Sequence, residues 1–342
     1  MVIDFNNLNT NILDSQTEFE EKVIFILNEW ISSSENVKVQ TSGSTGVPKI
    51  FEIEKEKMRN SAKMTCNFLD LKESDTALLC LPVEYISGKM MIVRSFERNL
   101  KLIIANPSVH PLKNLNSKVD FCAMTPLQVE NSLDKIHLIK KLIIGGAQVS
   151  ESLKLKIKNT LKNSTSETKI FETYGMSETL SHIALKEIFP HSEEYFTLFE
   201  SISITKDERN CLQISAPQLN SDILHTNDVV ELKNDRQFKF LGRLDNVINS
   251  GGAKIFPEEL EKLVKKEIEN EVVFLGINDE VLGQKLIAVV EGEKNDDINT
   301  IFKTIQFDKK FHFPKEIIFV PQIPRTPNNK VNRVALLALF NY

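Results

Sequence analysis

The chain has 342 residues, an ordinary apolar share, and 42 Lys and Arg against 47 Asp and Glu, for a formal net charge of −5. That balance holds no cationic excess for nucleic acid or an anionic membrane, so the expected partners are small molecules. No apolar run nears the roughly 20 residues a bilayer crossing needs, and MVIDFNNLNT is no signal peptide, so a cytoplasmic protein is expected.

In chain order, residues 16–33 space Phe19, Val23, Leu27 and Trp30 as one face of an amphipathic helix. A short strand, VKVQT, leads into TSGSTGVPK at 41–49 and a second strand, KIFEIE. Residues 55–71 read as a helix. From TALLCLP at 76–82 to KIFETYG at 169–175, short apolar strands then alternate with helical segments. Such alternation predicts a mainly parallel sheet covered by helices, with ligands beyond the C-terminal strand ends. The texture changes over about 181–244 to short β-patterns joined by turns, read as an antiparallel sheet or distorted barrel. After Asp245 come a helix opened by Pro257, two strands, a helix near 297–306, a strand KEIIFVP and a final helix. The expected division is 1–244 and 245–342, an α/β fold with a β-rich part and a small mobile α+β C-terminal domain. Cys66, Cys80, Cys122 and Cys211 sit in apolar patterns without CxxC or Cys/His spacing, so buried free thiols are expected.

The 41–49 stretch reads as a phosphate loop. Gly43 and Gly46 let the backbone turn its N–H groups toward one anion, Thr41, Ser42, Ser44 and Thr45 add hydroxyls, and Lys49 adds a charge. The Walker spacing is absent. On composition alone a Ser/Thr/Gly-rich loop is also a plain turn, but four further stretches follow in order: FETYGMSET at 171–179, HTNDVVEL at 225–232, LGRLDNVINSGG at 241–252 and PRTPNNKVNR at 324–333. Together the five resemble the signature series of the adenylate-forming superfamily, which includes acyl-CoA synthetases, luciferases and peptide-synthetase adenylation domains.

That resemblance implies ATP and Mg²⁺ as co-substrate and cofactor, and activation of a carboxylic acid as its adenylate. It implies that residues 41–49 close over the β- and γ-phosphates, with Thr45 and Glu178 toward the metal. Tyr174 would stack on adenine, Asp228 would bind the ribose hydroxyls, and Arg243 would contact ribose and phosphate. Lys330 would reach the α-phosphate and the attacking carboxylate, although Asn329 stands where the family usually has glycine. Asp245 matches the hinge. Gly251 and Gly252 match the pair that lets a CoA pantetheine arm pass, and could equally form a plain turn.

LPVEYISGKMMIVR at 81–94 resembles the segment of o-succinylbenzoate–CoA ligases that reads LP-x-x-H-x-S-G with an arginine six residues beyond the glycine. Here Tyr85 replaces the histidine, and Arg94 is that arginine, suited to a second carboxylate of an aromatic dicarboxylic acid. On its own, an arginine on an amphipathic helix reads as solvated. Ser177 and Thr179 would add hydroxyls to the acyl pocket, with Gly145, Gly146 and Ala147 as its wall. With the loop beginning at position 41, a second subunit covering the acyl site, a homodimer, is a further expectation. Two alternatives stay open: an adenylation enzyme acting on another acid or loading a carrier protein, and a nucleotide- or acyl-binding homologue without turnover.

Overall fold

The structure is a computed structural model that describes residues 1–10, 13–40, 50–162, 164–325 and 331–340. Five parallel strands form its centre in the order Lys101–Ile104, Thr76–Leu79, Val119–Met124, Ile139–Ile144 and Lys169–Gly175. Their side chains alternate between two apolar layers. Ala77, Leu79, Phe121, Ala123 and Ile143 face one layer, while Leu78, Cys122, Met124, Leu142 and Ile144 face the other. Burial on both faces explains why these strands read as continuous apolar runs. All four cysteines are free and buried.

The sheet differs from the expected partition in one respect. The 181–244 strands do not stand apart, because His182–Phe189 pairs antiparallel with Lys169–Gly175 and the following strands extend the same sheet. Val2–Asp4, which sequence patterning missed, pairs antiparallel along the opposite edge. Among the described residues twelve strands thus share one sheet. A sheet edge offers unpaired N–H and C=O groups, and the tight turn after Gly175 returns the chain to satisfy those of Lys169–Gly175.

Beyond Arg243 a second sheet forms from Ile248–Ser250, Ala253–Ile255, Val272–Asp279, Gly283–Glu291 and Glu316–Val320. It too alternates between two apolar layers, Phe274, Ala288 and Phe302 in one and Val273, Leu275, Ile287 and Leu336 in the other. No hydrophobic cluster among the described residues joins the two sheets. They meet through polar groups: the Arg243 N–H donates to Glu258 Oε1 at 3.5 Å, and Lys262 Nζ lies 3.7 Å from Glu151 Oε1.

Candidate active site

A cavity of about 790 Å³ opens where the loops beyond the parallel strands face the second sheet. Gly146, Ala147, Glu172, Tyr174 and Asp228 line one side, and Lys254, Phe256, Glu258 and Lys262 line the other. Strand Lys169–Gly175 places Glu172 and Tyr174 on one face by its two-residue period. Tyr174 Oη donates to Asp228 Oδ2 at 2.5 Å. Burial, then the Asp228 charge, raises the Tyr174 hydroxyl far above the ordinary phenol range, so it is a neutral donor. Asp228 and Arg243 are register partners on adjacent strands. Arg243 Nη1 lies 3.4 Å from Asp228 Oδ1, and Nη2 donates to Asp245 Oδ2 at 3.1 Å. The folded chain therefore brings Tyr174, Asp228, Arg243 and Asp245, 71 positions apart at the extremes, into one hydrogen-bonded cluster.

Behind Tyr174 lies a charge group that sequence reading missed. Glu172 pairs in register with Lys186, whose Nζ is 3.0 Å from Glu172 Oε2; Lys154 Nζ lies 3.6 Å away, and the Val149 N–H donates to Oε1 at 3.1 Å. Burial alone would raise the Glu172 carboxyl, but Lys186 and Lys154 outweigh it and hold the group below its ordinary range. The period-two relation to Tyr174 was the available signal for Glu172. The lysines had none, because strand register and helix docking bring them there.

The remaining expected residues are distributed differently. Ser177, Glu178 and Thr179 form a 3₁₀ turn beyond the strand end. Ser177 and Glu178 are exposed, whereas Thr179 is buried and its hydroxyl is committed to the turn, accepting from Met176 N–H at 3.0 Å and donating to the Ser181 carbonyl at 2.8 Å. Gly145 packs so closely that a Cβ would stand 2.7 Å from Thr173 Oγ1, and Gly146 adopts φ +84°. Tyr85 caps helix Ile86–Glu97 and bridges to Gln40, the residue before the 41–49 stretch. Arg94 on that helix is buried, not solvated, and away from the 790 Å³ cavity's lining. Gly251 and Gly252 turn the hairpin between Ile248–Ser250 and Ala253–Ile255 with φ +56° and +81°, backbone that glycine tolerates best; neither lines the cavity. Thr41, Ser42, Gly43, Ser44, Thr45, Gly46, Lys49, Asn329 and Lys330 lie outside the described residues. Gln40 and Ile50 pair across the ends of the first stretch, and Arg325 and Val331 bridge across the second.

A family of proteins described as AMP-binding enzyme matches residues 34–202. A solved structure, the acyl-CoA synthetase (AMP-forming)/AMP-acid ligase II-like protein from Dyadobacter fermentans, is 30% identical with a TM-score of 0.67, covering 100% of this chain and 99% of that one. The 2-succinylbenzoate–CoA ligase of Oceanobacillus iheyensis is 26% identical over 94% of this chain and 73% of its own length. The 3,4-dihydroxybenzoate–[aryl-carrier protein] ligase of Bacillus anthracis is 24% identical over 86% and 72%. The chain belongs to the AMP-binding, adenylate-forming enzyme family. Within it, this is an enzyme of the AMP-forming acid–thiol ligase class.

Proposed function

We propose that the protein is an ATP-dependent acid–CoA ligase whose acid is an aromatic dicarboxylate of the o-succinylbenzoate kind. In the first half-reaction a carboxylate oxygen attacks the α-phosphorus of ATP and pyrophosphate leaves. In the second, a thiolate attacks the acyl carbon and AMP leaves. The observation that carries the reading is the Tyr174–Asp228 pair on the cavity wall, with Arg243 beside Asp228. Asp228 offers carboxylate oxygens to a ribose diol, Tyr174 an aromatic face to adenine, and Arg243 a fixed cation beside them.

In this reading Thr41, Ser42, Gly43, Ser44, Thr45, Gly46 and Lys49 hold the leaving phosphates, and Lys330 stabilises the charge developing at the α-phosphate. Ser177, Thr179, Gly146, Tyr85 and Arg94 border the acid, Gly251 and Gly252 the CoA arm. Residues 245–342 act as a lid that turns at Asp245 between the two steps. Among the described residues no three His, Cys, Asp or Glu side chains gather around a metal position, while Glu178 presents one exposed carboxylate. That donor set fits magnesium, which keeps most of its waters; bound with ATP, the ion would neutralise phosphate charge. Similarity to the 2-succinylbenzoate ligase supports the acid, and that to the aryl-carrier protein ligase supports a second reading in which the acceptor is a carrier-bound thiol.

The test is pyrophosphate release with Mg-ATP across a panel of acids, with and without CoA. Turnover with o-succinylbenzoate that becomes catalytic only with CoA is expected. Turnover with a different acid removes the substrate assignment, turnover only with a holo-carrier protein transfers it to the second reading, and silence favours a non-catalytic homologue. Lys330→Ala is expected to abolish pyrophosphate release yet leave CoA transfer from supplied acyl-adenylate within about twofold. Equal loss of both steps removes the role given to Lys330.

A further inference from the structure

Arg94 is an anomaly of the core. It is 2% exposed on helix Ile86–Glu97, and no carboxylate among the described residues lies within ion-pair distance of it. Burial lowers its pKa to about 10, which still leaves a full charge at neutral pH. A buried cation with no counter-charge is unfavourable, so a site that keeps one is suited to an arriving anion. Its Nε has no hydrogen-bond partner among the described residues, and Nη2 donates to Ser181 Oγ at 3.0 Å.

The bond to Ser181 is the end of a chain whose direction follows from donor arithmetic. Thr65, on helix Lys55–Phe68, donates its hydroxyl proton to the Ser61 carbonyl at 3.1 Å. Toward His182 it can then only accept, so the 3.1 Å contact to His182 Nε2 requires the proton on Nε2. Nδ1 of the neutral ring is consequently the acceptor, and it takes the Ser181 hydroxyl proton across 3.3 Å. Ser181 Oγ is left to accept from Arg94. Burial, then the Arg94 charge, holds His182 far below the ordinary imidazole range, which keeps the ring neutral and leaves the tautomer to these hydrogen bonds. Phe199 closes over the ring edge-on at 5.4 Å. Helix, strand and turn thus converge on one guanidinium, and none of Thr65, Ser181 or His182 borders the 790 Å³ cavity.

We propose that His182 and Thr65 are positioning residues for acid selection: the one-way chain Thr65–His182–Ser181 fixes the guanidinium plane of Arg94 so that its unpaired edge meets a second carboxylate on the acid substrate. This rests on the reading of Arg94 as an acid-binding residue. A loosely held arginine would bind the same carboxylate less selectively, because part of the interaction would be lost in ordering the side chain.

The experiment measures KM for o-succinylbenzoate and for 4-oxo-4-phenylbutanoate, which lacks the ring carboxylate, together with KM for ATP and the thermal midpoint of each variant. Arg94→Ala is expected to raise the o-succinylbenzoate KM by about 30-fold or more with the ATP KM within about twofold. His182→Leu and Thr65→Val are expected to raise it about fivefold to tenfold, leave 4-oxo-4-phenylbutanoate unaffected, and keep kcat within about threefold. His182→Gln, whose amide can accept and donate along the same path, should restore wild-type selectivity. If Arg94→Ala raises the acid KM while neither His182→Leu nor Thr65→Val does, the positioning role is wrong and the reading of Arg94 stands. If Arg94→Ala leaves the acid KM unchanged, both fall. Should His182→Leu fail to fold, Thr65→Val decides, and a loss of thermal midpoint with no change in the ratio of the two acids overturns the proposal.

Discussion

A single buried imidazole shows how far the neighbours of a residue decide its chemistry. His182 in a peptide takes up a proton near pH 6.5, and in the folded chain burial and the Arg94 charge push that event well below. Protonation therefore favours the unfolded chain. The stabilisation is complete above about pH 6.5 and is lost as pH falls below it toward the folded value. Thermal melts of wild type and His182→Gln between about pH 8 and about pH 5 should show the wild type losing midpoint relative to the variant below about pH 6.5; parallel curves would mean that His182 is already free to charge in the fold. The sequence offered His182 only as a polar residue at the start of a β-pattern. The Thr65 hydroxyl and the Arg94 charge that act on it come from 117 and 88 positions away.

At the scale of the element, two glycines of the quoted motifs do their work through close packing. Gly88, in the segment that resembles o-succinylbenzoate ligases, lets helix Ile86–Glu97 lie against the strand end, where an added Cβ would stand 2.2 Å from the Pro82 carbonyl oxygen. The obstacle is backbone and cannot swing aside. Gly88→Ala should cost about 1–3 kcal/mol of stability in denaturant melts, from the helix shifting off the sheet; a change under about 0.5 kcal/mol would show that the helix has room to move. Gly175 has the same role opposite His182, with its virtual Cβ 2.4 Å from His182 Cα. Between them the returning turn holds Leu180 at φ +65°, a positive φ uncommon for a bulky residue, and buries it in one cluster with Trp30 and Met58. The motif letters announced a turn here; that the turn would continue the sheet rather than end it depended on a partner strand's open edge.

For the molecule as a whole, two sheets with separate apolar layers meet through a thin polar seam, Lys262 to Glu151 and the Arg243 N–H to Glu258. An exposed ion pair contributes about 0–1 kcal/mol, far less than either core, so the two sheets are poorly coupled. Scanning calorimetry should resolve more than one unfolding transition. A single transition with equal calorimetric and van't Hoff enthalpies would instead make the chain one cooperative unit and count against a mobile lid. Weak coupling is also what a hinge at Asp245 requires, since rotation must break the seam at little cost.

The five motifs in order, the alternation of apolar strands with helices, and the reset near Asp245 were all legible in the sequence by itself. Each depends on residues close together in the chain, where spacing and turn chemistry act directly. The tertiary structure alone decided that the later strands extend the parallel sheet, that Lys186 and Lys154 hold Glu172 ionised behind Tyr174, and that Arg94 is buried with no acid beside it among the described residues. Those are facts of register and burial. They arise when segments a hundred residues apart exclude water together, and local pattern does not encode which segments those will be.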